Sequence, residues 1–312
     1  MDQAWSQELT SAALNEDARF IFPSNDEYWT SGTTVGERLY EPEIDWLLRC
    51  AVGRNYALMD CGANMGYWSV LASSAPYGRH PAVAIEASRA NFEILKISSD
   101  ANNSRFAVLH RAIFEQSGLR VHLYGQKHYG MSLRPDWHPG SSAYLEEVET
   151  ITIDDVAKRF LPSRRYPALL KIDVEGAEIE AIKGARAMTD EGALFIFEDH
   201  GKEPMHPVSH FVLAQDGIDI WRVGSDQRPF RITTIEQVAA IKQMLGSVTI
   251  FSRTGGRRRG HRPLRVNDIG SAAIWLLVKM TALTTSAVAA ARPSTRAYLN
   301  FAVVRNTRSL TM

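Results

Sequence analysis

The chain has 312 residues, 45% of them apolar, with 35 acidic and 35 basic side chains. It can bury a substantial core, and its balanced charge argues against wholesale binding to nucleic acid or a membrane surface. Only Cys50 and Cys61 are present, without the spacing of a zinc site, so neither a disulfide framework nor a structural metal is expected.

Residues 1–35 mix polar, aromatic and turn residues and read as a cap, with Phe20 to Pro23 a short edge strand. Asp2, Glu8, Glu16 and Asp17 leave no apolar run for a secretory signal, so a cytoplasmic protein is expected. Behind Pro42, the spacing of Ile44, Leu47 and Leu48 predicts a helix that leads into the first central strand.

That strand, Tyr56 to Met59, reaches Asp60 and passes through Gly62, Ala63, Asn64, Met65 and Gly66 into a helical stretch from Trp68. A strand, a small-residue turn and a helix start form a cofactor loop: glycines let a ligand approach the backbone, and helix N–H groups point at negative charge. The spacing Gly62-x-x-x-Gly66 is not the G-x-G-x-x-G of a dinucleotide site.

Pro81 to Ile85 predicts a second strand ending at Glu86, twenty residues beyond Gly66. A carboxylate there accepts hydrogen bonds from both ribose hydroxyls and repels a 2′-phosphate, which favours an adenosine-type ligand over NADP. A helix over Asn91 to Ile97 and a strand over Phe106 to Leu109 follow, and Ala112 and Ile113 are placed beside an adenine. The irregular stretch from Gln126 to Tyr144 holds His128, Tyr129, Ser132 and Trp137, which suit an acceptor with polar and apolar faces. Thr152 followed by Asp155 predicts a helix cap.

Ala168 to Ile172 predicts a buried strand that ends at Asp173, with helix through Met188 beyond it. Leu194 to Phe197 predicts another, tipped by Glu198, Asp199 and His200, and a helix from Pro207 and a strand over Ile218 to Val223 complete the alternation. Alternating elements predict a doubly wound sheet, whose ligand site lies beyond the carboxyl ends of its strands. Asp60, Glu86 and Asp173 are therefore expected at one crevice.

The order of these motifs resembles the FkbM-type methyltransferase family. It is carried by Leu58 to Ser69, Ala84-Ile85-Glu86 with Asn91-Phe92, Val148 to Asp155, Phe195 to Glu198 and, most specifically, Lys171-Ile172-Asp173-Val174-Glu175-Gly176-Ala177-Glu178. The resemblance implies an α/β class I methyltransferase (Rossmann-like) fold, a doubly wound seven-stranded sheet, S-adenosylmethionine as cofactor, and a hydroxyl acceptor on a sugar or natural product. By motif, Asp60, Gly62, Asn64 and Gly66 would cradle the methionine end, Glu86 the ribose and Ala112 the adenine, with Asp173 beside the sulfonium. Tyr129, Ser132, Trp137 and Glu198 are expected to meet the acceptor, and His200 or Asp173 to take its proton, with His200 preferred; no metal is expected. An RNA-directed methyltransferase, a non-catalytic binding protein and an NAD-linked oxidoreductase are the rival readings.

The expected domains are a cap and lead-in helix over 1–50, a cofactor-binding core over 51–224, an insertion over 225–296, and a final strand and tail over 297–312. The sheet should finish with an antiparallel hairpin, for which Val248 to Phe251 and Tyr298 to Val304 compete, the second preferred. Six arginines between Arg253 and Arg265 read as a solvated loop, and Lys279 interrupts the apolar run from Ala272 to Ala291, which argues against a membrane span, while arginines ahead of an apolar helix leave peripheral membrane contact open.

Overall fold

The computed structural model describes residues 8–30, 40–125, 130–135, 137, 143–161, 167–199, 206–215, 218–223, 229–245 and 248–254. The chain opens with an antiparallel hairpin of β1 (Leu9–Asn15) and β2 (Ala18–Pro23), followed by the short helix α1 (Glu27–Thr30) and by α2 (Pro42–Cys50). The strand ahead of the glycine loop is β3 (Ala57–Cys61), followed by α3 (Tyr67–Ala72), β4 (Ala82–Glu86), α4 (Arg89–Ala101) and β5 (Ala107–His110). Next come β6 (Ala112–Ile113), β7 (Arg120–Tyr124), β8 (Tyr144–Ile151) and α5 (Ile153–Phe160), which Thr152 caps by accepting from the Asp155 N–H at 3.1 Å. The remaining elements are β9 (Ala168–Ile172), α6 (Glu178–Lys183), α7 (Arg186–Glu191), β10 (Leu194–Asp199), α8 (Pro207–Leu213), β11 (Ile218–Val223), β12 (Pro229–Ile232), α9 (Ile235–Leu245) and β13 (Val248–Thr254).

Among the described residues the main sheet has eight strands in the order β12-β11-β13-β10-β9-β3-β4-β5. The run from β10 to β5 is parallel, and β13 lies antiparallel between β10 and β11. Two expectations are corrected here. The slot assigned to Tyr298–Val304 is filled by β13, whose backbone pairs Leu194 to Asp199 with Arg253 to Val248. Residues 229–232 and 248–254 of the expected 225–296 insertion therefore belong to the sheet, and β12 makes eight strands rather than seven; Tyr298–Val304, the arginine run beyond Thr254 and the apolar run 272–291 lie outside the described residues.

Central strands buried on both faces read as continuous apolar runs, yet their side chains alternate between two cores. Leu58, Leu169, Leu194 and Ile196 point to a core shared with α2, α3 and the hairpin, while Met59, Leu170, Ile172, Phe195 and Phe197 point to one shared with α5 and α8. The hairpin is fixed to α4 by Asn102, which accepts from the Arg19 N–H at 2.9 Å and donates to its carbonyl at 2.6 Å. Packing of Phe20 against Trp29 and Tyr67, with centroids 4.7 and 5.4 Å apart, draws the cap onto the mouth of the sheet. No helix among the described residues is long and apolar enough to cross a membrane.

Candidate active site

The loop after β3 is built by two close approaches. A Cβ on Gly62 would lie 1.8 Å from the Asp173 carbonyl oxygen, and one on Gly66 would lie 2.5 Å from Leu95 Cδ1. These glycines, both at positive φ, make room for the neighbouring strand tip and for α4, a role the sequence reading had given to a ligand. Nor does the loop hold free donors. The N–H groups of Gly62 and Ala63 both donate to the Ile85 carbonyl at 2.9 Å, Asn64 donates to Glu86 Oε2 at 2.8 Å, Met65 to Asn64 Oδ1 at 2.9 Å, and Gly66 to the Ala63 carbonyl at 2.8 Å.

Asp60 stands behind this loop. It is 1% exposed, accepts from Ser69 Oγ at 2.8 Å and lies outside the cavity wall, so it braces β3 against α3. Burial raises its pKa, against the opposing pull of the Lys171 ammonium.

Glu86 is the hinge between loop and cavity. Its two oxygens accept from the N–H groups of Asn64 and Ser88, each at 2.8 Å, and the carboxyl lines the cavity wall. Burial pushes its pKa up to about 7 despite these hydrogen bonds. The Asn91 side chain also hydrogen-bonds this carboxyl, which leaves acceptor capacity for one further donor.

The second motif is held by its own acids. Lys171, buried within β9, lies 3.0 Å from Asp173 Oδ2 and 3.9 Å from Asp60 Oδ1. Burial alone would lower its pKa; Asp173, Asp60 and Glu41 outweigh burial and raise it, so the ammonium stays protonated. Beyond Asp173 the chain turns back under Glu178, whose carboxylate accepts from the N–H groups of Val174 at 3.2 Å and Gly176 at 3.1 Å. Glu175 then anchors the irregular stretch by accepting from the Gly130 N–H at 3.2 Å and Trp137 Nε1 at 3.1 Å, while Ser132 Oγ donates to its carbonyl.

A cavity of 690 Å³ opens beyond the strand tips. One side is apolar, lined by Ile85, Ala112, Ile113 and Leu123. The other carries Glu41, Asp173 and Glu198, whose carboxylate oxygens lie within 4.8 Å of one another, beside Tyr28 and Tyr40. Three carboxylates this close could share a cation, although Lys171 already supplies one to Asp173. Glu41 arrives from the cap: it precedes α2 in left-handed backbone (φ 39°, ψ 64°) and receives the Trp68 indole N–H on Oε2 at 2.6 Å.

The expected site residues therefore divide. Gly62, Asn64, Glu86, Ala112, Asp173 and Glu198 meet on the cavity wall; Asp60 and Gly66 support it from behind. Ser132 and Trp137 lie against the Glu175–Gly176 turn and off the wall, and Tyr129 and His200 lie outside the described residues. Sequence reasoning missed Glu41, Tyr28 and Tyr40, which carry no motif. It also passed over Lys171, although a charge within the apolar run Ala168 to Ile172 signals a paired buried ion.

A parallel sheet with a crevice at its strand tips defines an α/β protein. Residues 60–203 match the family model of the methyltransferase FkbM domain. Among solved structures, a methyltransferase FkbM from Methylobacillus flagellatus is 18% identical, with 64% of this chain and 43% of that one covered and a TM-score of 0.40. The present chain thus spans less than half of that protein. The P. horikoshii TYW2 structure in complex with MeSAdo is 12% identical over 80% of this chain and 71% of that one, with a TM-score of 0.39. A precorrin-6y C5,15-methyltransferase from Geobacter metallireducens is 10% identical over 68% and 86%, with a TM-score of 0.36. No curated protein matches the chain.

Proposed function

We propose that the protein transfers a methyl group from S-adenosylmethionine to a hydroxyl of a sugar or similar small polyol. The observation that carries this reading is the pairing of a loop with no spare N–H from Gly62 to Gly66 with the cavity-facing carboxyl of Glu86. A pyrophosphate needs donors such as these N–H groups, and here they are spent; ribose hydroxyls need acceptors, which Glu86 supplies. This weighs against an NAD-linked oxidoreductase.

The walls fit the ligand. Ile85, Ala112, Ile113 and Leu123 offer apolar surface for an adenine, Glu86 accepts from its ribose, and the backbone of Gly62 and Ala63 borders the path to Asp173. Bound there, S-adenosylmethionine supplies an electrophilic methyl group on a sulfonium. The protein's part is to align the acceptor, exclude water and remove the hydroxyl proton. Asp173 and Glu198 are placed to receive acceptor hydroxyls, and the rings of Tyr28 and Tyr40 give apolar surface for a sugar face.

Titration calorimetry of the full chain with S-adenosylmethionine, S-adenosylhomocysteine and NAD tests the reading. Micromolar binding of the first two, about −8 kcal/mol, weakened by Glu86→Ala and absent for NAD, is the expected result. A folded protein that binds neither adenosyl ligand sinks it.

A further inference from the structure

We propose that Glu41, delivered by the cap, is the general base that takes the proton from the acceptor hydroxyl. The inference rests on the methyl-transfer reading above and assigns the base within it. Glu41 stands on the cavity wall with Asp173 and Glu198, its carboxylate oxygen within 4.8 Å of theirs, yet it comes from a different part of the chain.

Two observations set it apart from Asp173. The Asp173 carboxylate is bound by the buried Lys171 ammonium at 3.0 Å, and a carboxylate neutralised by a fixed cation is a weak proton acceptor. Glu41 is held by the Trp68 indole N–H, a neutral donor that orients the group without cancelling its charge, and no described residue hydrogen-bonds Oε1. The left-handed backbone of Glu41 fits this role, since such conformations on non-glycine residues concentrate where a side chain must be aimed.

The carboxylates around Glu41 favour proton uptake. Lys171 opposes it, while Asp173 from β9, Glu198 from β10 and Glu43 from its own helix support it, and Tyr40 and Tyr28 stand on the cap side. Burial, opposed in part by Lys171, pushes the Glu41 carboxyl up to about 8, where a base is matched to neutral solution. In the step itself, the hydroxyl proton passes to the Glu41 carboxylate as the O–CH3 bond forms. The C–S bond breaks, its electron pair stays on sulfur as a neutral thioether, and Glu41 later returns the proton to water.

The test uses the full chain with 15N-indole tryptophan, with and without S-adenosylhomocysteine, and follows the Trp68 indole resonance from about pH 6 to about pH 10. The signal is assigned by Trp68→Phe. We expect it to titrate with a midpoint near 8 and to become flat in Glu41→Gln. A flat wild-type signal, or the same midpoint in Glu41→Gln, overturns the proposal. Labelled-methyl transfer to a panel of monosaccharides adds a second arm. Glu41→Gln should lose about 100-fold or more in kcat with unchanged S-adenosylhomocysteine affinity, and Glu41→Asp should restore part of it. Wild-type kcat in Glu41→Gln overturns the assignment, as does turnover that EDTA abolishes and Mg²⁺ restores, which would make Glu41 a metal ligand. Failure of the adenosyl ligands to bind sinks the donor reading instead, while the indole titration still reports on Glu41.

Discussion

The carbonyl oxygen of Asp173 occupies the space that a side chain on Gly62 would need, 1.8 Å from an ideal Cβ. The two strand-tip loops that border the cavity are thus in backbone contact, tied also by the Asp173 N–H donating to the Cys61 carbonyl at 3.0 Å. Neither loop can shift without the other.

Gly62→Ala should therefore be costly, because it combines an obstructed Cβ with left-handed backbone. We expect a loss of about 3 kcal/mol or more, together with loss of S-adenosylhomocysteine binding. Gly118 is the control: its φ is +81° but nothing lies within 4 Å of a Cβ there, so Gly118→Ala should cost only about 1 kcal/mol. Urea unfolding midpoints compare the two, and equal losses would remove the argument from close approach.

On the proposed reading, Glu86 links ligand binding to pH. Its folded pKa of about 7 lies above the ordinary 4.5, so between those values the unfolded state sheds a proton that the folded state keeps. Stability falls as pH rises through this window, by about 3 kcal/mol in total from this group, and Glu41 adds a fall of the same sign up to about 8. Glu86→Gln should flatten the lower part of the profile. Ribose hydroxyls prefer the ionised acceptor, so adenosyl-ligand affinity should weaken below about pH 7 in wild type. Calorimetry across that range would show no such trend if Glu86 did not face the ligand.

Lys171→Met should destabilise by about 3 kcal/mol or more, since it leaves the buried Asp60 and the half-buried Asp173 without their shared cation. The deficit relative to wild type should shrink in acid, where both carboxyls become neutral. The ordering can be checked by chemical denaturation at two pH values; a constant deficit would mean that lost packing, and not charge, is what the lysine supplies.

Asp199 and Lys242 form a second buried pair, 3.1 Å apart with both side chains 1% exposed. Lys242→Met alone should cost about 3 kcal/mol. Asp199→Asn added to it keeps an acceptor for the Ser209 N–H, which now donates to Asp199 at 3.0 Å, and removes the stranded charge. The double variant should be more stable than Lys242→Met alone, and a double-mutant cycle that shows simple additivity would refute the pairing.

The central sheet and three of its strand tips were legible because each strand is a short apolar run closed by an acid, and parallel strands collect their carboxyl ends on one edge. Glu86 and Asp173 could be placed on the crevice for that reason. Glu41 could not, since a turn ahead of an ordinary amphipathic helix shows nothing of what it folds against. Tyr298–Val304 misled because its β-rich composition resembles a final strand, whereas the pairing of β13 with both β10 and β11 depends on partners far away in sequence. Ser132 and Trp137 had the right chemistry for a sugar site, but the left-handed turn at Glu175 draws them to itself, and that conformation leaves no mark in composition.

The placing of β13 also sets an order of events during synthesis. Leu194–Asp199 and Ile218–Val223 are separated in the sheet by a strand that begins only at Val248. As the chain leaves the ribosome, the facing edges of β10 and β11 must wait for it with their backbone groups unpaired. At bacterial or eukaryotic elongation speeds this lasts about a second or more. The nascent protein thus carries a temporary gap in its sheet, open to any extended segment that reaches it first, and the half that holds the Gly62–Gly66 loop can be assembled before that gap is sealed.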